Sequence, residues 1–324
     1  MLSIQQKVES ARAFFLSGQT RDVPFRLAAL RRLQTSIQAH EKAIVEALKK
    51  DLNKSPYEAN MTEISLVKGE LSHAISHTSK WAKGKRVRPS LGQMPASARI
   101  LPAPYGVTLI MSPWNYPFML TLSPLIGAIA AGNTVIVKPS DYARETSHVI
   151  SRILTQAFEE GHVHVVEGGR SENSALLEEK YDYIFFTGSP GVGQLVMEKA
   201  ARNLTPLTLE LGGKSPVIVE KSADIALTAR RVLFGKLVNL GQTCIAPDYV
   251  LVPREHKEAL LTALQQQAAQ MVPSPEYAQT MGRIVNRKHF DRLLHLLDNQ
   301  TLFFGGQSDP DRLQIALTVV DDPA

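Results

Sequence analysis

Four short segments of the 324-residue chain carry residue types that can do chemistry. The one cysteine, Cys244, stands in Gly241-Gln242-Thr243-Cys244, among glycine, polar residues and Pro247. That setting reads as a turn rather than an apolar strand, and a catalytic thiol must be ionisable and reachable. The bland alternative is a small buried hydrophobe, the commoner fate of an isolated cysteine. Glu210 ends Thr208-Leu209-Glu210 and is followed by Leu211-Gly212-Gly213-Lys214. A carboxylate between two leucines is expected to be partly buried, which raises its pKa and suits it as a base. Pairing with Lys214 or capping a turn is the competing reading. Asn115 lies in Pro113-Trp114-Asn115-Tyr116-Pro117, where two prolines fix the backbone. Its amide could be held where an oxyanion develops, or could simply satisfy a turn. In Gly188-Ser189-Pro190-Gly191-Val192-Gly193, glycines would let the backbone approach a ligand, and a following helix would offer free N–H groups. The spacing is neither G-x-G-x-x-G nor a Walker A loop, so a plain connecting turn stands beside that reading.

The elements that must hold these residues follow from periodicity. The first eighty residues read as helices, with one apolar stripe at Leu27, Leu30, Leu33, Ile37, Ile44 and Leu48. Asp51, Asn53 and Pro56 break it, and a second stripe runs through Tyr57, Met61, Ile64, Val67, Leu71 and Ile75. Prolines, glycines and scattered basic residues from Gly84 to Pro104 suggest an irregular or hairpin excursion. Strands are then predicted at Val107–Met111, Thr134–Lys138, Val163–Glu167, Tyr183–Thr187 and Leu207–Glu210. Helical stretches at Leu120–Ala131, Arg144–Phe158, Ser174–Glu179 and Val192–Arg202 lie between them. That alternation predicts an α/β fold with a doubly wound parallel sheet, whose ligands collect at the carboxyl ends of the strands. Lys138, Thr187 and Glu210 lie at such ends. Beyond Gly212 a second α/β segment begins, with strands at Val217–Val219 and Tyr249–Val252 and helices at Ala223–Val238 and Glu255–Gln270.

Composition narrows the class. The length admits two domains with real cores, and 44% hydrophobic with 21% charged residues is ordinary for a soluble globular protein. A single cysteine excludes an intrachain disulfide. Residues 1–15 lack the continuous apolar core of a signal peptide. The longest apolar stretch, Leu125–Ala131, is far short of the roughly 20 residues that span a bilayer. A soluble, cytoplasmic chain without a membrane segment is expected. The net charge is +5, and the densest basic run is Lys80, Lys83, Lys85, Arg86 and Arg88. With only Trp81 interleaved, that run argues for a solvated or subunit-contact segment and against nucleic acid.

SPWNYPF, VIVKPS, FTGSPGVG, LTLELGGKSP and GQTC, in this order, resemble the aldehyde dehydrogenase superfamily. GQTCIAPDYV and the tight spacing between VVEGG and FTGS resemble its class 3 branch, which takes fatty and aromatic aldehydes. The resemblance runs from about Ala11 to Asp322. It implies Cys244 as nucleophile, Glu210 as general base and Asn115 as the oxyanion-stabilising amide. It implies NAD, with NADP possible, held by Lys138, Asp141, Thr187, Gly188, Ser189, Pro190, Gly191, Val192, Gly193 and Leu211, with Trp114 lining the site and no metal. It also implies a Rossmann-like cofactor domain over 1–82 and 106–211, an oligomerisation hairpin over 83–105, and a catalytic domain over 212–324. An aldehyde substrate and a homodimer of the full-length form follow from the same source. By this resemblance an aldehyde adds to Cys244 as a thiohemiacetal, is oxidised to a thioester, and is released as a carboxylic acid by water that Glu210 activates. Two departures stand out. Asp141 replaces the family glutamate that grips the adenosine ribose, which leaves NADP tolerance open. The family also continues well past the last residue here, so the catalytic domain is expected to be incomplete and loose beyond Gly212. A CoA-acylating aldehyde dehydrogenase and a non-catalytic truncated fragment are the rival readings.

Overall fold

The computed structural model describes residues 2–322. The N-terminal stripes fold as α1 (Ile4–Leu16), α2 (Val23–Ala39), α3 (Glu41–Leu52), α4 (Pro56–Ala59) and α5 (Ser65–Trp81). Ser3 opens α1 with a capping box, and the Asp22 side chain opens α2 by accepting from the Phe25 N–H. Leu30, Leu33, Ile37, Ile44 and Leu48 are buried as their spacing requires. Tyr57, assigned to the second stripe, is instead exposed. A π-helical turn at Asn60–Ile64 separates it from α5; the wider turn changes the phase, so residues on its two sides no longer share a face.

The excursion is a hairpin. β1 (Lys85–Val87) pairs antiparallel with β2 (Ala98–Ile100), Arg86 opposite Arg99. Next come β3 (Val107–Met111), α6 (Met119–Ala131), β4 (Thr134–Lys138), α7 (Arg144–Ala157) and β5 (Val163–Val165). They are followed by α8 (Arg170–Glu178), β6 (Tyr183–Gly188), α9 (Pro190–Ala201) and β7 (Leu207–Leu211). The doubly wound sheet holds, with strand order β5-β4-β3-β6-β7. β3 is parallel to both β4 and β6, and β4 to β5. Every residue of β3 and β4 is buried, which is why these strands read as unbroken apolar runs. The order reverses at β3, and the crevice at such a switch point is where an open α/β sheet receives a ligand.

The chain divides into two compact units, 1–44 with 60–210, and 45–59 with 211–324. In the second, β8 (Ser215–Ile218), α10 (Ile225–Leu237) and β9 (Pro247–Leu251) form a parallel βαβ unit. After it come α11 (Lys257–Met271), α12 (Pro275–Gln279), α13 (Arg287–His295), β10 (Leu302–Phe304), β11 (Ser308–Asp309), β12 (Gln314–Ile315) and β13 (Val319–Val320). β10 pairs with β13 and β11 with β12. Val219, Ala229, Leu233, Leu260 and Leu264 make the core, with Phe304, Leu317 and Val319 packed against it. Residues 45–59 join this unit through backbone: the Arg283 N–H donates to Leu52 O at 2.8 Å, and Asn53 Nδ2 to Met281 O at 2.6 Å.

Candidate active site

The loop after β3 carries Trp114 and Asn115, both half-buried. At its start the Ser112 N–H donates to Lys138 O at 3.0 Å, tying the ends of β3 and β4 together. At its far end the Phe118 and Met119 N–H groups donate to Glu63 Oε2 at 2.8 and 3.1 Å. These amides open α6 and have no carbonyl within that helix to bond. A fully buried carboxylate on the π turn supplies the acceptor. Sequence reasoning missed Glu63; the available signal was a charge inside the apolar stripe, between Thr62 and Ile64.

Lys138 closes β4 with only 3% of its surface exposed. Its Nζ donates to Pro139 O at 2.7 Å. Burial pulls its pKa down, and the charges of Asp141, Glu172 and Glu167, in that order, push it back up. Thr187 and Gly188 close β6. A Cβ at Gly188 would lie 2.6 Å from the Phe186 ring, so a side chain here would require that ring to shift. Ser189 precedes α9 without a side-chain cap, and Pro190 takes its first turn. Gly193 N–H makes the first helical bond, to Ser189 O at 2.9 Å. That leaves the Gly191 and Val192 amides with no helical acceptor; Val192 is exposed and nothing lies within 4 Å of a Cβ placed on Gly191. An open helix N-terminus suits a pyrophosphate. A buried ammonium flanked by carboxylates suits ribose hydroxyls, which donate and accept. This donor set fits a dinucleotide.

Glu210 and Leu211 end β7. Glu210 is exposed, not buried as its flanking leucines suggest. β7 is the edge strand of the sheet, so its side chains have a neighbouring strand on one side only, and Leu209 and Leu211 cannot enclose the residue between them.

Cys244 sits in the second unit, exposed, on a turn between α10 and β9. Three left-handed residues precede it: Asn239 (φ 51°), Leu240 (φ 51°) and Gly241 (φ 72°). A leucine in that region is strained, persists only where its surroundings fix it, and such strain gathers at functional sites. The fixing groups are identifiable. Asn239 N–H donates to Glu58 Oε1 at 2.7 Å. Gln242 Nε2 donates to Asn239 O at 3.1 Å and Arg283 O at 3.0 Å, and its Oε1 accepts from Val285 N–H at 3.2 Å. The glycine pair after Leu211 has its explanation here. A Cβ on Gly213 would stand 2.5 Å from Cys244 O, so this backbone can approach the cysteine only as glycine. Lys236, whose pKa burial lowers against the raising effect of Asp248, packs its stem beside Gly241. Lys214 pairs with Asp248 at 2.8 Å.

Trp114, Asn115, Lys138, Asp141 and Thr187 through Gly193 therefore collect at the carboxyl ends of β3, β4 and β6. Glu210 and Leu211 stand at the end of β7, and Cys244 on its own turn in the second unit. Gly213 and Gln242 lay within the quoted motifs, but nothing local in the sequence revealed what they hold. Among the described residues no helix is long and apolar enough to cross a membrane, and no group of three or more His, Cys, Asp and Glu could hold a metal ion.

Known proteins share this fold. Residues 3–312 match the aldehyde dehydrogenase family. The 4,4'-diaponeurosporen-aldehyde dehydrogenase of Staphylococcus aureus is 43% identical, over 98% of this chain and 70% of the relative. Aldehyde dehydrogenase family 3 member B1 of Mus musculus is 42% identical, over 99% of this chain and 69% of the relative. The solved substrate-bound state of Staphylococcus aureus AldH superposes with a TM-score of 0.96 at 42% identity, covering 99% of this chain and 71% of that one. A Mycobacterium tuberculosis aldehyde dehydrogenase complexed with NAD+ shares the fold, with a TM-score of 0.87 at 24% identity over 98% of this chain and 68% of that one. Motifs, sheet order and relatives agree: the chain belongs to the aldehyde dehydrogenase family, oxidoreductases that act on aldehydes.

Proposed function

We propose that this chain oxidises medium- or long-chain aliphatic or aromatic aldehydes to carboxylic acids with NAD+ or NADP+, through a thioester on Cys244. The observation that carries the reading is the lone thiol, exposed on a strained turn whose carbonyl is seated against Gly213. The class 3 resemblance, and a relative named for 4,4'-diaponeurosporen-aldehyde, support the substrate class.

Cys244 attacks the aldehyde carbon as a thiolate and holds the thiohemiacetal. The Asn115 amide donates to the oxyanion that forms, and the loop anchors at Ser112 and at Phe118 keep that amide from drifting. The cofactor, when bound, supplies the two-electron acceptor that makes a thioester of this adduct. Lys138 and Asp141 would hold its ribose, the α9 N-terminus would hold its pyrophosphate, and Trp114, Thr187 and Leu211 would line its path. Glu210, exposed at the end of β7, takes a proton from water, and that water releases the acid from Cys244. The hairpin β1–β2 serves subunit contact in a homodimer; exposed Leu91, Met94 and Ile100 give it the apolar surface such a contact buries. Cys244→Ala should abolish aldehyde oxidation while cofactor binding, followed by calorimetry, stays near the parent value. Turnover retained in that variant removes the assignment. Appearance of acyl-CoA instead of free acid would replace water with CoA as the acceptor.

A further inference from the structure

The cofactor site proposed above has more carboxylates around Lys138 than its motif supplies. We propose that Glu172 and Glu167, acting with Asp141, make this chain select NAD+ over NADP+. The three come from two segments of the chain. Asp141 follows β4, whereas Glu167 and Glu172 flank the glycine pair after β5. β4 and β5 run parallel with Val137 beside Val165, so the turn at Gly168 and Gly169 lies next to the end of β4. The glycines bring the carboxylates together there. Gly168 has φ +136°, and a Cβ on it would collide with the Glu172 carboxylate. Gly169 N–H donates to Glu172 Oε2 at 2.6 Å, and a Cβ on Gly169 would stand 3.1 Å from Asp141 Oδ2. One turn thus holds Glu172 and touches Asp141.

The charges do not balance. Asp141, Glu172 and Glu167 all act on the Lys138 ammonium. Lys7 is the second cation within reach of Glu167, and its Nζ is engaged by Val165 O at 2.7 Å. His148 contacts Glu167 through Nδ1. Three carboxylates thus stand with two ammonium groups, Lys138 and Lys7, and the His148 ring lies against Glu167. The bonds from Gly169 N–H and Ser171 Oγ both fall on Glu172 Oε2. Ribose hydroxyls are donors that such oxygens welcome. A 2′-phosphate brings nearly two further negative charges and nothing to donate, so the same carboxylates repel it.

The test measures binding of NAD+ and NADP+ to the full chain by calorimetry, with no aldehyde present. Glu172→Gln is the informative change, because an amide oxygen still accepts from Gly169 N–H while the charge is lost. The parent should bind NAD+ about tenfold or more tighter than NADP+, and this gap should shrink as salt rises. Glu172→Gln and Glu167→Gln should each tighten NADP+ several-fold and so narrow the gap between the two cofactors. Equal affinities in the parent, or NADP+ affinity unmoved in both variants, overturns the proposal. So does an NADP+ affinity that depends on Arg170, which would mark that guanidinium as a phosphate acceptor. Lys138→Ala separates the two layers of the argument. Loss of NAD+ binding there supports the site itself, whereas unchanged binding removes the site and the selectivity with it.

Discussion

Cys244 stands exposed on a turn whose preceding residues, Asn239, Leu240 and Gly241, are all left-handed. Cys244 and its turn were readable because glycine and polar neighbours do not build an apolar strand. The exposure of Glu210 was not, because flanking leucines report composition while burial depends on whether β7 has a second neighbour. Exposure does not disqualify a base that must meet water. Glu210→Gln should let the thioester form but slow its hydrolysis by about 10²–10⁴-fold. Rapid mixing should then show a burst of reduced cofactor before a slow steady state; equal loss of both phases would assign Glu210 an earlier role. His162 gives a prediction of another kind. It is buried among Phe14, Phe25 and Phe158, and desolvation, with help from Arg32, lowers its pKa from 6.5 to about 4. The folded state therefore binds the proton more weakly than the unfolded chain. Above pH 6.5 this group costs nothing, and as pH falls from there towards 4 the chain loses about 3 kcal/mol on its account. Denaturant titrations between pH 7 and 4 should show that slope in the parent and its loss in His162→Phe. Identical slopes would contradict the shift.

At the level of elements, the sequence located all five strands of the main sheet, since each is an apolar run closed by a turn signal. The bounds of β3 and β4 agree residue for residue. The π turn at Asn60–Ile64 was not legible, because a change of helical phase leaves no compositional trace, and Tyr57 was misplaced with it. Nor could the pattern show that Gly213 exists for Cys244, since that contact joins positions far apart in the chain. The consequence is testable. In Gly213→Ala the new methyl meets backbone, which cannot rotate away as a side chain would. The strain should cost about 1–3 kcal/mol of stability. Displacing the turn by about an ångström should lower kcat on the order of 10²-fold. Thermal denaturation and steady-state kinetics check the two; a fully active Gly213→Ala enzyme would show that the turn tolerates movement.

On the scale of the whole chain, the two units differ in how they are held. The first has a five-stranded sheet with fully buried central strands, whereas the second relies on two-stranded pairs, some only two residues per strand. Two-stranded pairs are marginal without packing support, and regions with few buried contacts open first. Ile218 and Leu251, on β8 and β9, are exposed. Limited proteolysis should therefore cut beyond Gly212 before it cuts the sheet of the first unit; uniform resistance along the chain would contradict this. The central claim is that the aldehyde is oxidised while bonded to Cys244. Its most direct test is mass spectrometry of Glu210→Gln, quenched in acid after one turnover with aldehyde and NAD+. The account predicts an acyl group on the peptide containing Cys244, and none in a Glu210→Gln, Cys244→Ala double variant. Reduced cofactor formed without any acyl mass on that peptide, or formed equally by the double variant, would contradict it.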